Sequence, residues 1–210
     1  MSDFVHGGSP TLDPGISTLM QVYVEAAASE YVLGAGAGES VYARDSYTSS
    51  TAAASGEMVL AGFVAKKTQP ITQVRVWTSG TAAAATPTIA RMGIYVRSAV
   101  TGDLTLLASH ANDLALFAAT NTVYTKTLTS TFQKVQGLEY FVGLLIVSAA
   151  AMPTFAAPAS GWPAGYLAAT GSLMRPATMA KVTAQADLPA TVLNANVVAA
   201  AFTFHCYLLA

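Results

Sequence analysis

Glu57-Met-Val-Leu-Ala-Gly-Phe-Val-Ala65, Ile71-Thr-Gln-Val-Arg-Val-Trp-Thr78, Ile89-Ala-Arg-Met-Gly-Ile-Tyr-Val-Arg97, Asp103-Leu-Thr-Leu-Leu-Ala108 and Leu138-Glu-Tyr-Phe-Val-Gly-Leu-Leu-Ile-Val147 follow one another across turn-forming residues. Short β-rich segments at this spacing predict an antiparallel sandwich or barrel. Side chains alternate across a strand, so one face can be read against the other. Val74 and Val76 oppose Gln73, Arg75 and Trp77; Met92, Ile94 and Val96 oppose Arg91, Tyr95 and Arg97. Near the C-terminus, in a strand expected over 199–209, Phe202, Phe204, Cys206 and Leu208 oppose Thr203, His205 and Tyr207. One apolar and one mixed face in each segment predicts a two-layer sandwich rather than a parallel sheet, with Val74, Val76, Met92, Ile94, Val96, Phe202, Phe204 and Leu208 in one core. Phe141-Val-Gly-Leu-Leu-Ile-Val147 is apolar on both faces. It reads as a central strand whose second face is covered by a loop or by another subunit.

Composition narrows the function. Charged residues are 10% of the chain, against a usual share of about 25%. The hydrophobic set reaches 53% and the net charge is −1. Charge repulsion therefore does little to keep copies apart, and part of the apolar surface is expected to face other subunits. The longest apolar run, Tyr140 to Met152, carries Gly143 and Ser148 and falls short of the about 20 residues a spanning helix needs. Trp77 and Trp162 are too few and too scattered for the aromatic girdles of a membrane barrel, so no membrane insertion is expected. Met1-Ser-Asp-Phe-Val-His-Gly-Gly8 lacks the basic and apolar regions of a secretory signal, which leads us to expect synthesis in a cytoplasm. Cys206 is the only cysteine, so an intrachain disulfide or a multi-cysteine metal site has no basis in these residues.

Residues 1–55 differ from the rest, and the chain divides into an N-terminal arm and linker (1–55) and a sandwich domain (56–210). Gly7-Gly-Ser-Pro10 and Asp13-Pro-Gly15 are turn signals, followed by the alternating Leu19-Met-Gln-Val-Tyr-Val24. Gly34 to Gly38 reads as a hinge. Met20, Val22 and Val24 are the candidate arm contacts to a neighbouring chain; a loosely packed edge strand with its loops is the other reading. Between Ala149 and Pro189 the residues preceding Pro153, Pro158, Pro163, Pro176 and Pro189 are pushed toward extended backbone, so loops with one or two short strands are expected.

Catalytic patterns are not found. The Gly34–Gly38 tract lacks the Lys-Ser/Thr ending and strand–helix context of a phosphate-binding loop. There is no Gly-x-Ser-x-Gly elbow, and His6, His110 and His205 have no partner at metal-ligand spacing; each reads as a surface or satisfied histidine. Asp103 and His110-Ala-Asn-Asp113 offer oxygens to a calcium ion, but such clusters ordinarily make turns. The 10 basic residues form no run and are offset by 11 acids, which speaks against nucleic acid. No cofactor is expected. What remains is a face carrying Gln73, Arg75, Trp77, Arg91, Tyr95 and Arg97, read as a protein interface, a glycan platform or a solvated sheet face. Ser160-Gly-Trp-Pro-Ala-Gly-Tyr166 adds a loop displaying Trp162 and Tyr166.

Ser55-Gly-Glu-Met-Val-Leu-Ala-Gly-Phe-Val-Ala65, Ile71-Thr-Gln-Val-Arg-Val76, Ala90-Arg-Met-Gly-Ile-Tyr95, Gly137-Leu-Glu-Tyr-Phe-Val-Gly143 and Asp187-Leu-Pro-Ala190 resemble jelly-roll domains of tailed-bacteriophage virion proteins. The resemblance spans roughly residues 55–210 and is one of strand and turn pattern. It implies an all-β, antiparallel jelly-roll-like sandwich with an extended N-terminal arm, in a non-enzymatic minor tail, baseplate or fibre component. Its partners would be copies of itself, other virion proteins and, where it serves host attachment, a host-surface glycan; its place would be the virion. A carbohydrate- or receptor-binding module and a capsid decoration protein are the alternatives, and carbohydrate-binding modules share the same layout.

Overall fold

A computed structural model describes residues 38–40, 47–82, 87–158, 179–200 and 204–210. Their strands are β1 (Gly38–Ser40), β2 (Tyr47–Ala52), β3 (Met58–Val64), β4 (Gln69–Trp77), β5 (Pro87–Arg97), β6 (Leu104–Ser109), β7 (Val123–Lys134), β8 (Glu139–Ser148), β9 (Thr154–Pro158), β10 (Met179–Val182), β11 (Thr191–Val192), β12 (Val198–Ala199) and β13 (Cys206–Leu209). All pairings are antiparallel. One sheet has the order β1-β13-β4-β7, a second β11-β6-β5-β8-β3-β10-β12, and β2 pairs with β9. Among the described residues no helix is long and apolar enough to cross a membrane.

The strand order is that of a jelly roll. With β1, β3, β4, β5, β6, β7, β8 and β13 counted in chain order, the smaller sheet runs first-eighth-third-sixth. The core of the larger sheet runs second-seventh-fourth-fifth. The chain changes sheets at every step except the β5–β6 turn, which makes two Greek keys. Between the layers lie Val59, Ala61 and Phe63 of β3, Val74 and Val76 of β4, Met92 and Ile94 of β5, Val142 and Leu144 of β8, and Phe204, Cys206 and Leu208. Val96 packs against this core. The alternation that predicted a shared core is thus realised for seven of its eight residues; Phe202 lies outside the described residues.

The larger sheet is curled into a half-barrel, and chain length explains why. Six strand spacings separate β11 from β12, about 29 Å if flat, whereas the six residue steps from Val192 to Val198 reach at most about 21 Å. Residues 183–193 cross the face turned away from the smaller sheet and seat Leu188 and Val192 in a second apolar cluster with Met58, Leu60, Tyr95, Phe141 and Leu145. The cover predicted for the second face of β8 is therefore this strap of the same chain. Glycines make room for it. A Cβ on Gly62 would lie 2.6 Å from the Phe141 ring, on Gly143 2.9 Å from Tyr95, and on Gly93 2.9 Å from Leu188.

Three expectations change. The strand expected over 199–209 is two: Val198–Ala199 pairs with β10 in the larger sheet, and Cys206–Leu209 pairs with β4 in the smaller. Side-chain alternation does not register a passage between sheets. β7 is a strand that alternation does not announce, because along this edge strand only Leu128, Phe132 and Lys134 are buried; its Thr-rich, β-branched content is the signal that marks it. Part of the region assigned to the arm also pairs within the chain, Gly38–Ser40 with β13 and Tyr47–Ala52 with β9. Gly38 of the expected hinge therefore stands in a strand, while Met20, Val22 and Val24 lie outside the described residues.

Substituting Gly62→Ala should destabilise the fold by about 1–3 kcal/mol through overpacking against Phe141. Gly80→Ala, with nothing within 4 Å of its Cβ, should stay within about 0.5 kcal/mol. Ile94→Ala should cost about 2–5 kcal/mol. Urea denaturation of the three variants checks all three values.

Candidate interaction surface

The two polar faces predicted to form one surface lie on opposite sides of the molecule. β4 and β5 are consecutive in the chain, but the connection between them crosses from one sheet to the other. Gln73, Arg75 and Trp77 therefore face outward from the smaller sheet, and Arg91, Tyr95 and Arg97 from the larger. In the second group the strap closes over Arg91 and Tyr95. Tyr95 is fully buried and its hydroxyl donates to the Pro189 carbonyl at 3.1 Å; burial raises its phenol well above the ordinary value. Arg91 Nη1 meets both Asp187 carboxylate oxygens at 2.8 Å, while its Nη2 donates to Ser109 Oγ. Arg97, also buried, pairs with Glu139 at 3.2 Å. These three residues, read as interface or glycan contacts, instead fasten the chain to itself. Trp162 and Tyr166 lie outside the described residues.

The outer face of the smaller sheet stays open at Gln73, Arg75 and Trp77, all partly exposed. Register sets the rows: Trp77 opposite Val123, Arg75 between Thr125 and Tyr207, Gln73 between Thr127 and Leu209. Trp77 meets His205 edge-to-face, ring centroids 4.9 Å apart, and Tyr207 at 5.1 Å. His205 and Tyr207 are buried and touch each other, so they brace the indole. The sequence had placed both on the polar face of the last strand without seeing this role. Arg75 Nε donates to Thr125 Oγ1 at 2.8 Å. Among the described residues its two terminal nitrogens meet no acceptor. β4, β7 and β13 contain no Asp or Glu.

A second exposed feature sits at one end of the sandwich. The pairings Val64 with Glu139 and Val96 with Tyr140 bring the β3–β4, β5–β6 and β7–β8 turns to the same end. Val64, Val100, Val135 and Leu138 are exposed there, Val100 at 91%. Solvent-facing apolar residues on three adjacent turns are the kind of feature that marks a protein contact.

Asp103, Asp113, Glu57 and His110 serve the fold. Asp113 pairs with Lys126 and Glu57 with Lys181; each hydrogen-bonded ammonium holds its carboxyl below the ordinary value. Asp103 accepts from the Asn194 backbone N–H at 2.8 Å, which lowers its pKa likewise. Among the described residues no group of three or more His, Cys, Asp or Glu gathers as metal ligands would. Buried His110 accepts the Met92 N–H at Nε2, 2.9 Å away. Its Nδ1 therefore carries the proton and donates to the Ala111 carbonyl. Burial in the first place lowers its pKa from 6.5. No protein-family model and no curated protein matches the chain.

The His110 geometry fixes a pH dependence. The unfolded imidazole takes up a proton near its ordinary 6.5, while the folded one resists until lower pH. Its contribution to stability is therefore complete above that value and is lost as pH falls below it. Partly buried Glu139, whose carboxyl is raised by desolvation, acts in the opposite sense, so the readout is a difference between variants. Between about pH 7.5 and about pH 5.5 the unaltered chain should lose more stability than His110→Gln. Equal losses in urea titrations would remove His110 as the cause.

Proposed function

We propose that this chain is a non-catalytic structural protein of a tailed-phage virion, a minor tail or baseplate component that assembles as a homo-oligomer. It is made in the host cytoplasm and used in the particle. The observation that carries the reading is the combination of jelly-roll strand order with an apolar end formed by Val64, Val100, Val135 and Leu138. A net charge of −1 leaves little repulsion between copies, and a closed ring buries such a patch on every subunit. The carboxylates of Asp113, Asp187, Glu57 and Glu139 each hold a cation and tie strand to strand or strand to loop, a use that suits a scaffold. The arm supplies the second contact: Met20, Val22 and Val24 rest on a neighbouring chain.

A second reading, a carbohydrate- or receptor-binding module on the same particle, is favoured by the open Gln73–Arg75–Trp77 face with its braced indole.

Sedimentation velocity tests assembly directly. The unaltered chain should sediment as an oligomer at micromolar concentration, and Val100→Asp with Leu138→Asp should shift it toward monomer without altering its circular-dichroism spectrum. Deleting residues 1–30 should leave the sandwich folded but block incorporation into particles, scored by antibody labelling of purified virions. A stable monomer of the unaltered chain, or a deletion variant that is incorporated normally, would overturn the proposal.

A further inference from the structure

We infer that the outer face of β4 and β7 binds an acidic saccharide, a hexuronate-type sugar whose ring stacks on Trp77 and whose carboxylate is taken by Arg75. The inference rests on the second reading above and names its ligand class. Three observations carry it. First, Arg75 is aimed: its Nε is committed to Thr125 at 2.8 Å, which fixes the guanidinium plane, and among the described residues its terminal nitrogens have no acceptor. A guanidinium held in this way presents parallel donors that match a carboxylate. Second, Arg75 has no acid beside it: Glu39, the acid among the described strands of this sheet, is on β1, separated from β4 by β13. β4, β7 and β13 contribute no Asp or Glu to the face, so an anion meets no opposing carboxylate on these strands. Third, the indole of Trp77 is ordered before any ligand arrives, by His205 at 4.9 Å and Tyr207 at 5.1 Å. Stacking on it therefore costs little further side-chain entropy.

The spacing suits a sugar acid. Arg75 and Trp77 are two residues apart on one face of a strand, about 6.6 Å along it, a span that a pyranose ring with its exocyclic carboxylate covers. Gln73, Thr125 and Thr127 surround the pair on the same face and offer amide and hydroxyl groups to the sugar hydroxyls. A neutral sugar would use the indole and these polar groups but leave the guanidinium unpaired.

Calorimetric titration of the full chain with galacturonate oligosaccharides, and in parallel with galactose oligosaccharides, tests the assignment. The galacturonate oligomers should bind, weakening as salt rises, and the galactose oligomers should bind at least about tenfold less tightly. Arg75→Gln should reduce galacturonate affinity about ten- to a hundredfold while leaving galactose binding unchanged. Arg75→Lys should fall between, because it keeps the charge and loses the fork. Trp77→Ala should abolish both. Arg75 is partly exposed, so the Arg75 variants keep the test valid if Trp77→Ala does not fold. Equal affinity for the two oligosaccharides, or an Arg75→Gln variant that binds galacturonate as the unaltered chain does, would overturn the acidic-sugar assignment and leave a glycan module standing. Binding of neither sugar would overturn both.

Discussion

The fold depends on the interlock between glycines and large side chains on the concave face of the larger sheet. β8 is apolar on both sides, so the two-layer sandwich alone would leave Phe141 and Leu145 in water. Gly62 lets Phe141 lie against β3, Gly143 lets Tyr95 lie against β8, and Gly93 opens the space that Leu188 enters. A side chain at any of these positions would lift the layer above it. Once the layer lies flat, the strap closes over it, fastened by the Arg91–Asp187 pair, the Tyr95 hydroxyl on Pro189 and the Leu106 amide on Ala190. The second core is thus an intrachain substitute for a third layer of secondary structure.

This closure decides which surfaces are left for partners. Arg91 and Tyr95 are spent on the strap, Arg97 on Glu139 of β8, and the buried thiol of Cys206, its pKa pushed up by desolvation, sits in the main core. What faces outward is the sheet surface around Arg75 and Trp77 and the apolar turns at one end. The two differ in chemistry: the first sets one arginine beside an indole, and the second gathers four exposed aliphatic side chains, with Lys66 and Lys67 in the β3–β4 turn beside them. One chain can therefore offer them to different partners.

Much of the architecture was legible because alternation survives in β4 and β5 and fails in β8, and each fact has one structural meaning. The same periodicity misled where the chain changes sheets. Trp77 and Tyr95 look alike in sequence, each on a mixed face beside an arginine, yet one is open and the other lies beneath Pro189. Nothing local distinguishes them; the difference is made by residues about ninety positions later. Leu188 arrives from a Pro- and Ala-rich stretch with no strand signal of its own, so the cover it provides is a tertiary fact. The polar edge strand β7 was hidden for a related reason, since an edge needs few buried side chains. The bracing of Trp77 by His205 and Tyr207 depends on β13 pairing with β4, which no local pattern announces.

Amide hydrogen exchange on the isolated chain measures the central claim, that the strap is an integral layer of the fold. The account predicts that the Leu106 amide, bonded to Ala190, and the amides of β8 exchange only by global unfolding, with the same protection. Fast exchange at Leu106 while β8 stays protected would contradict it, because the strap would then open independently and leave the concave face free for another molecule.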